Sequence, residues 1–511
     1  MDITTLGFLQ FIGVGLLVYY LLPQKCKWMV LLVMSFIFYS FVDVRNVFFI
    51  LAFTTSSYCF GRAIGKVSLS KSVKKIDKMG GVCPKRNGSP FSAKFFVICA
   101  IVVDILILVL IKFLPASLNQ KVVLYSRYKL FKFFMPIGIS YYTLMSISYV
   151  LDVYWEKNKA EHNYFRLMLF TGYFPLLVQG PISKWGQLSE EFFKEHKYDF
   201  KNIKYGIELM IWGFFKKLVV ADRAGVYVNN VFGGNELPQG FNVLVGLILY
   251  GIQLYFDFSG GIDVIRGVSE CFDVKLIENF KQPYFSNSLG EFWRRWHISL
   301  GDWMKDYIFY PFTMSKTCRN IKKALKKIHV SSKVATQISF AIADLLVFFL
   351  VGIWHGTGSK FLAWGMYNGL ILAFSVLAAP LYERIKKTLH INDKCKGWLY
   401  FCIFRTLVIV TIGWVFDCGA TASEGIKLFV NLFRFTGENI VGLGKFQASI
   451  ILFGCILQLI VSIIHEKGIS VREKLSNKPF CLQLIVWTVL FQFILYFAAT
   501  SRAGGFMYAQ F

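Results

Sequence analysis

Charge is scarce in this sequence, and negative charge scarcer still: Asp and Glu number 30 against 56 Lys and Arg. Only 17% of the residues are charged while 55% are hydrophobic, and the mean hydropathy is +0.52, which excludes an ordinary soluble fold. Close cysteine spacing is missing too. The eleven cysteines are scattered without a C-x-x-C pair, and Cys59, Cys99, Cys402 and Cys455 stand inside apolar runs. They read as buried or cytoplasmic thiols, not as a disulfide framework or a zinc site, so no metal is expected. No basic segment or small-residue cleavage site precedes the first apolar run, so that run reads as a retained membrane segment and not a removed signal peptide. No fixed-period repeat is apparent.

What is present is a succession of apolar runs long enough to cross a bilayer. Phe is the most abundant aromatic residue, and Trp and Tyr are plentiful, as expected where rings sit at headgroup level. The formal charge of +26 comes from Lys and Arg in short loops between apolar runs, which is the positive-inside pattern and not that of a nucleic-acid binder. The expectation is one all-α, membrane-embedded domain over residues 1–511, multi-pass, with about eleven transmembrane helices plus short re-entrant or interfacial ones. Residues 62–94 and 316–333 are basic and read as cytoplasmic loops; the second holds seven Lys and Arg and no acidic residue.

Several runs carry marks of special packing. Trp28–Phe41 and Val47–Phe60 are short for a straight span and suggest a short or tilted pair. Phe95–Leu114 is a clear span with Asp104 in its middle. The basic stretch Lys121–Lys132 after it breaks strict charge alternation. Met135–Val150 is rich in small and hydroxylated residues, as helices packed against other helices are. Phe165–Val178 leads into Gln179, Gly180 and Pro181, a helix stop. Phe241–Phe258 ends near Asp257, Ser259, Gly260, Gly261 and Asp263, where acidic side chains are expected to meet a flexible turn.

The segment Glu278–Pro311 is a polar, aromatic island in an apolar chain. Charged groups at membrane depth are costly and are read first as functional. If Leu289–Tyr310 is one helix, Phe292, Trp296, Leu300, Trp303 and Tyr307 form an apolar stripe opposite Glu291, Arg295, Ser299, Asp302 and Asp306. Such a helix lines a wet cavity or merely anchors at an interface, with His297 then an ordinary polar residue. His355 ends the apolar run DLLVFFLVGIWH, with the Gly-rich break Gly356–Lys360 after it. A lone histidine on an apolar helix is often a satisfied core donor. Its place at a helix break favours chemistry, because imidazole can take a proton from a hydroxyl near neutral pH.

The motifs Pro136–Ser140 (PIGIS), Gln179–Ile182 (QGPI), Tyr255–Gly260 (YFDFSG), Glu278–Tyr284 (ENFKQPY), Phe292–Leu300 (FWRRWHISL), Asp306–Tyr307 and Gly352–Gly356 (GIWHG) run in order through residues 130–370. With Gly413–Phe416 (GWVF), they make the chain resemble the membrane-bound O-acyltransferase family, in its bacterial branch of alginate O-acetylation and teichoic acid D-alanylation. The resemblance implies a fold with a central funnel and acyl transfer from a thioester to an oxygen nucleophile. It implies His355 as the catalytic histidine and His297 as the second one. Trp293, Arg294, Arg295, Asp257, Asn279, Gln179 and Trp354 are the candidates for binding substrate or lining the funnel. Gly261, Ile262 and Thr357–Ser359 depart from the pattern, and the departures bear on the acceptor more than on the reaction class.

No bound cofactor is expected; acetyl-CoA is the expected acyl donor, with an acyl carrier protein as the alternative. The expected partners are the lipid bilayer and an extracytoplasmic SGNH-type acetyltransferase or other acyl-relay protein, at a bacterial plasma membrane. The competing readings are D-alanyl transfer to teichoic acid and, outside the class, an ion-coupled transporter using Asp104, Asp257 and Asp344. No inverted repeat of those features accompanies the second.

Overall fold

The computed structural model describes residues 3–70, 74–76, 82–84, 90–112, 136–234, 236–435 and 441–498, so the basic stretch 121–132 lies outside the described residues. Almost every element is a helix. The exception is a two-stranded antiparallel ribbon, Lys74–Ile76 against Val82–Pro84, within the basic segment 62–94. Among the described residues, nine helices are long and apolar enough to cross a membrane, fewer than the eleven expected. The difference has local causes. Leu6–Leu21 is only 16 residues long, and the run 165–178 divides into Tyr164–Gly172 and Phe174–Gln179. Pro175 stands at the start of the second piece, where its missing N–H costs no helical bond.

The chain packs into two compact units. The first comprises the described residues within 1–207 and 265–277. Its helices Gln24–Val42 and Arg45–Ser70 are longer than their apolar runs, because Gln24, Lys25, Cys26 and Lys27 extend the first at its start and Arg45, Asn46 and the stretch 61–70 extend the second at both ends. The core gathers Tyr39, Ile50, Phe53, Ile139, Tyr142 and Leu177. Helix Ile139–Tyr154 is buried along nearly its whole length, which its small and hydroxylated residues permit. Thr143 and Ser148 donate to carbonyls of their own helix, and Ser146 donates to Asp104 at 2.6 Å. One oxygen of a carboxyl group in an apolar span is thereby met by a hydroxyl, while its Oδ1 is buried without a hydrogen-bond partner. Helix Phe174–Gln179 stops at Gly180, whose φ of +85° suits a residue without Cβ; an added Cβ would lie 2.9 Å from the Tyr141 ring.

The second unit comprises the described residues within 208–264 and 278–498. Here the structure overturns the expected turn after Asp257. Helix Gly240–Cys271 continues straight through that stretch. Its glycines serve close packing: a Cβ on Gly213 would lie 2.5 Å from the Gly260 carbonyl, and one on Gly260 would lie 2.9 Å from the Gly213 carbonyl. The acidic residues are held in ion pairs with a π-helical turn, Phe215–Ala221. Lys217 meets Asp257 at 2.5 Å and Asp222 at 2.9 Å, while Lys216 meets Asp263 at 2.5 Å and donates to Ser259 at 3.0 Å. The basic segment 316–333 contains a helix, Lys316–Lys327, capped by Ser315. Helices Ser332–His355 and Ser359–Thr388 form a tight antiparallel pair, and Lys396–Gly413, Lys445–Glu466 and Phe480–Phe497 complete the unit's long helices. The last of these exposes Val489 and Leu495, each 60% accessible, a surface suited to lipid and not to water.

Candidate active site

The island 278–311 is not the single helix that its apolar stripe predicts. Ser288 caps the first piece, Leu289–Arg295, accepting from the Glu291 N–H at 3.2 Å, while Glu291 accepts from the Asn287 N–H at 2.9 Å. Trp296 leaves the helix to form a β-bridge with Phe280, and the Lys281 N–H donates to the Arg295 carbonyl at 2.9 Å. The chain then turns at His297, whose φ of +49° and ψ of +51° are left-handed, and resumes as Ile298–Met304 and a π-helical turn, Lys305–Phe309. A non-glycine residue in that conformation costs about 1–3 kcal/mol and needs surroundings that enforce it. The stripe is nonetheless the buried face: Phe292, Trp296, Leu300, Trp303 and Tyr307 are all 5% exposed or less.

Asn279 supplies much of that enforcement. Its carbonyl accepts from the Ile298 N–H at 3.0 Å, and its side-chain Oδ1 accepts from both the N–H and the Oγ–H of Ser299 at 2.9 Å. Its Nδ2 lies 3.4 Å from Nδ1 of His297. Asn279 is 1% exposed and His297 3%. His297 lies outside the nine spans, and burial holds its imidazole well below the usual histidine range, with the nearby His355 adding to the effect.

His355 arrives by a different route. It is the last residue of helix Ser332–His355 and is 8% exposed. The turn beyond it is fixed by close approach: a Cβ on Gly356 would run into the Phe361 ring, and one on Gly352 would lie 2.7 Å from the Phe361 carbonyl. The His355 ring meets Trp364 edge-on at 5.2 Å, and Trp364 meets Trp293 at 5.4 Å. On its other side His355 meets Trp354 at 4.9 Å, and Trp354 lies 6.1 Å from the His297 ring. Phe258 packs against His297 at 4.8 Å. Both imidazoles therefore belong to one buried aromatic cluster, and the Trp293 Nε1–H within it is a buried donor with no hydrogen-bond partner. Two imidazoles and an uncommitted indole donor in one buried cluster are suited to moving a proton and stabilising negative charge on oxygen.

The other candidate residues fall elsewhere. Arg294 is exposed, and Arg295 pairs with Glu291 at 2.7 Å and with Glu466. Asp257 is committed to Lys217. Gln179 belongs to the first unit, fully buried, with neither atom of its amide hydrogen-bonded. Sequence reading missed Lys216, Lys217 and Trp364, and gave Ser299 and Phe258 no role of their own beyond the polar side of the island and the YFDFSG motif. Of the three, the lysines carried a signal: two adjacent charges inside FFKKLVV require buried partners.

The model of the membrane-bound O-acyltransferase family matches residues 156–326, a stretch that contains His297. The chain is 29% identical to the probable alginate O-acetylase of Pseudomonas aeruginosa, over 83% of this chain and 73% of the relative. It is 26% identical to the peptidoglycan O-acetyltransferase of Helicobacter pylori, over 86% of this chain and 81% of the relative. It is 28% identical to the teichoic acid D-alanyltransferase of Bacillus subtilis, over 63% of this chain and 76% of the relative.

Proposed function

We propose that the chain is a member of the membrane-bound O-acyltransferase family, whose model matches residues 156–326, and that it moves an acetyl group from a cytoplasmic thioester, acetyl-CoA, toward hydroxyls of a cell-envelope or extracellular polysaccharide. The similarity to O-acetylating relatives and the long apolar helices support that class, an O-acyltransferase with multiple membrane spans; donor, acceptor and residue roles are proposed with it. His355 acts as general base on the acceptor hydroxyl. An alcohol is hardly ionised at neutral pH, and positioned base assistance contributes about 10²–10⁴-fold. The observation that carries this reading is the sharing of one buried aromatic cluster by both histidines, at the end of a helix where the chain must break.

Geometry also bears on how the donor arrives. Helix Ser332–His355 has 24 residues and follows the basic segment directly. At a rise of about 1.5 Å per residue it extends roughly 36 Å, so His355 stands about a bilayer's hydrocarbon thickness from that segment. A thioester made in the cytoplasm then needs a hydrated passage to reach it, and the acyl group crosses without its carrier. The immediate acceptor hydroxyl belongs to an extracytoplasmic relay protein of SGNH type or another acyl-relay protein, which passes the acyl group on to the polymer.

D-alanyl transfer from a carrier-protein thioester is the second reading, favoured by the similarity to a teichoic acid D-alanyltransferase. The longer matches to alginate and peptidoglycan O-acetylating relatives support acetyl. Purified protein in lipid nanodiscs, given radiolabelled acetyl-CoA or D-alanyl carrier protein with a hydroxyl acceptor, separates the two. The expected result is label transfer from acetyl-CoA that His355→Ala abolishes while inserting normally. Full transfer by that variant would end the mechanism, and transfer from the carrier protein alone would replace acetyl with D-alanyl.

A further inference from the structure

We propose that Asn279 holds His297 as the tautomer protonated on Nε2, so that this ring enters the reaction as a hydrogen-bond donor and proton removal falls to His355; the assignment rests on the acyl-transfer reading above. The backbone N–H of Ser299 fixes the direction of every bond in the chain that follows. Ser299 is the second residue of helix Ile298–Met304, so no carbonyl one turn back can accept from it. Oδ1 of Asn279 does so at 2.9 Å and accepts from the Ser299 hydroxyl at the same distance. Because a backbone N–H can only donate, the amide atom facing it is the oxygen. The atom 3.4 Å from His297 Nδ1 is then the NH₂ group. An amide NH₂ also only donates. The ring nitrogen it faces therefore carries no hydrogen, and a neutral imidazole bare at Nδ1 has its proton on Nε2.

The ring's own backbone carbonyl competes for the opposite arrangement, in which it would accept from a protonated Nδ1. In that state the ring N–H and the Asn279 NH₂ would confront each other donor to donor, with both residues almost fully buried. Rotating the amide to relieve the clash would turn its NH₂ on the Ser299 N–H instead. The Ser299 bonds thus act as a lock on the tautomer of a ring that they do not touch.

The division of labour balances. A His355 nitrogen takes the acceptor's O–H proton as that oxygen bonds to the thioester carbonyl carbon, and the carbonyl π pair moves onto its oxygen. His297 Nε2–H donates to that oxyanion. When the carbonyl re-forms, the C–S bond breaks, its electron pair leaves on sulfur, and the thiolate takes the proton from His355, giving an ester and a free thiol. While His355 holds the proton, a charged His297 nearby would oppose it, so a neutral donor is the form compatible with the step.

The test is a nitrogen-15 spectrum of the full-length protein in nanodiscs, labelled on histidine, with the His297 signals assigned by their loss in His297→Gln. The expected pattern is a protonated Nε2 and a bare Nδ1. In Asn279→Asp, where a carboxylate oxygen replaces the NH₂, the proton should move to Nδ1 and acyl transfer should fall about 100-fold, the scale of losing one oxyanion donor, with little change in the donor's KM. A wild-type ring protonated on Nδ1, or an Asn279→Asp protein that transfers at the wild-type rate, would overturn the assignment. Neither result touches the reading beneath it, which fails separately if His355→Ala stays active. The wild-type spectrum decides the matter even if the variant does not fold.

Discussion

His297 sits on a segment held by hydrogen bonds, with a left-handed backbone, a buried amide beside the ring and Phe258 packed on its face. His355 ends a helix held by close packing of glycines, with Trp354 and Trp364 against the ring. The difference matches two demands within one reaction. A group that must present a fixed donor is best surrounded by polar bonds that choose its tautomer. A group that must gain and lose a proton is served by a helix end whose close packing fixes where the ring stands.

That contrast can be broken from either side. The largest effect is expected where polar anchoring is deepest: Lys217→Met leaves Asp257 and Asp222 buried beside a lost cation, next in sequence to the Phe258 that supports His297. Removing one partner of a buried pair costs about 3–5 kcal/mol, so the melting midpoint in detergent should fall sharply, and Lys217→Met with Asp257→Leu should recover part of it. On the packed side, Gly365→Ala places a methyl against the Phe348 carbonyl, backbone that cannot swing away. A cost of about 1–3 kcal/mol follows, together with slower transfer as His355 shifts, both readable in one preparation. Trp293→Phe keeps the ring between Trp364 and Phe348 but removes the orphan N–H. If that donor binds substrate, kcat/KM should drop by about 3- to 10-fold, the worth of one hydrogen bond, with stability unchanged or slightly raised. Arg294→Ala, on an exposed side chain, should move stability by less than about 0.5 kcal/mol; a loss of donor affinity there would instead place Arg294 on the path of the thioester's phosphates.

The sequence made the membrane class and the break after His355 legible, because hydropathy and a glycine-rich turn are local signals. It also made legible the buried stripe Phe292, Trp296, Leu300, Trp303 and Tyr307, although a helical period alone could not reveal that the helix is cut at His297. The cut depends on Asn279 and Phe280, which return to the segment by a bridge closed across the chain. Such pairing leaves no trace in periodicity. Asp257 misled in the other direction. Acid beside paired glycines suggested a turn, but the glycines let two helices approach and the acid answers Lys217, a partner 40 residues away. The span count differed for a related reason, since short runs fully enclosed by protein need not reach bilayer length.

The claim most exposed to test is that the two imidazoles serve one transfer step. A double-mutant cycle with His297→Gln, His355→Gln and the pair, read as single-turnover acyl transfer in nanodiscs, addresses it directly. Groups that act as a unit are strongly non-additive, so the double variant should be no slower than the slower single variant. Losses that multiply, or a single variant that keeps the wild-type rate, would contradict it.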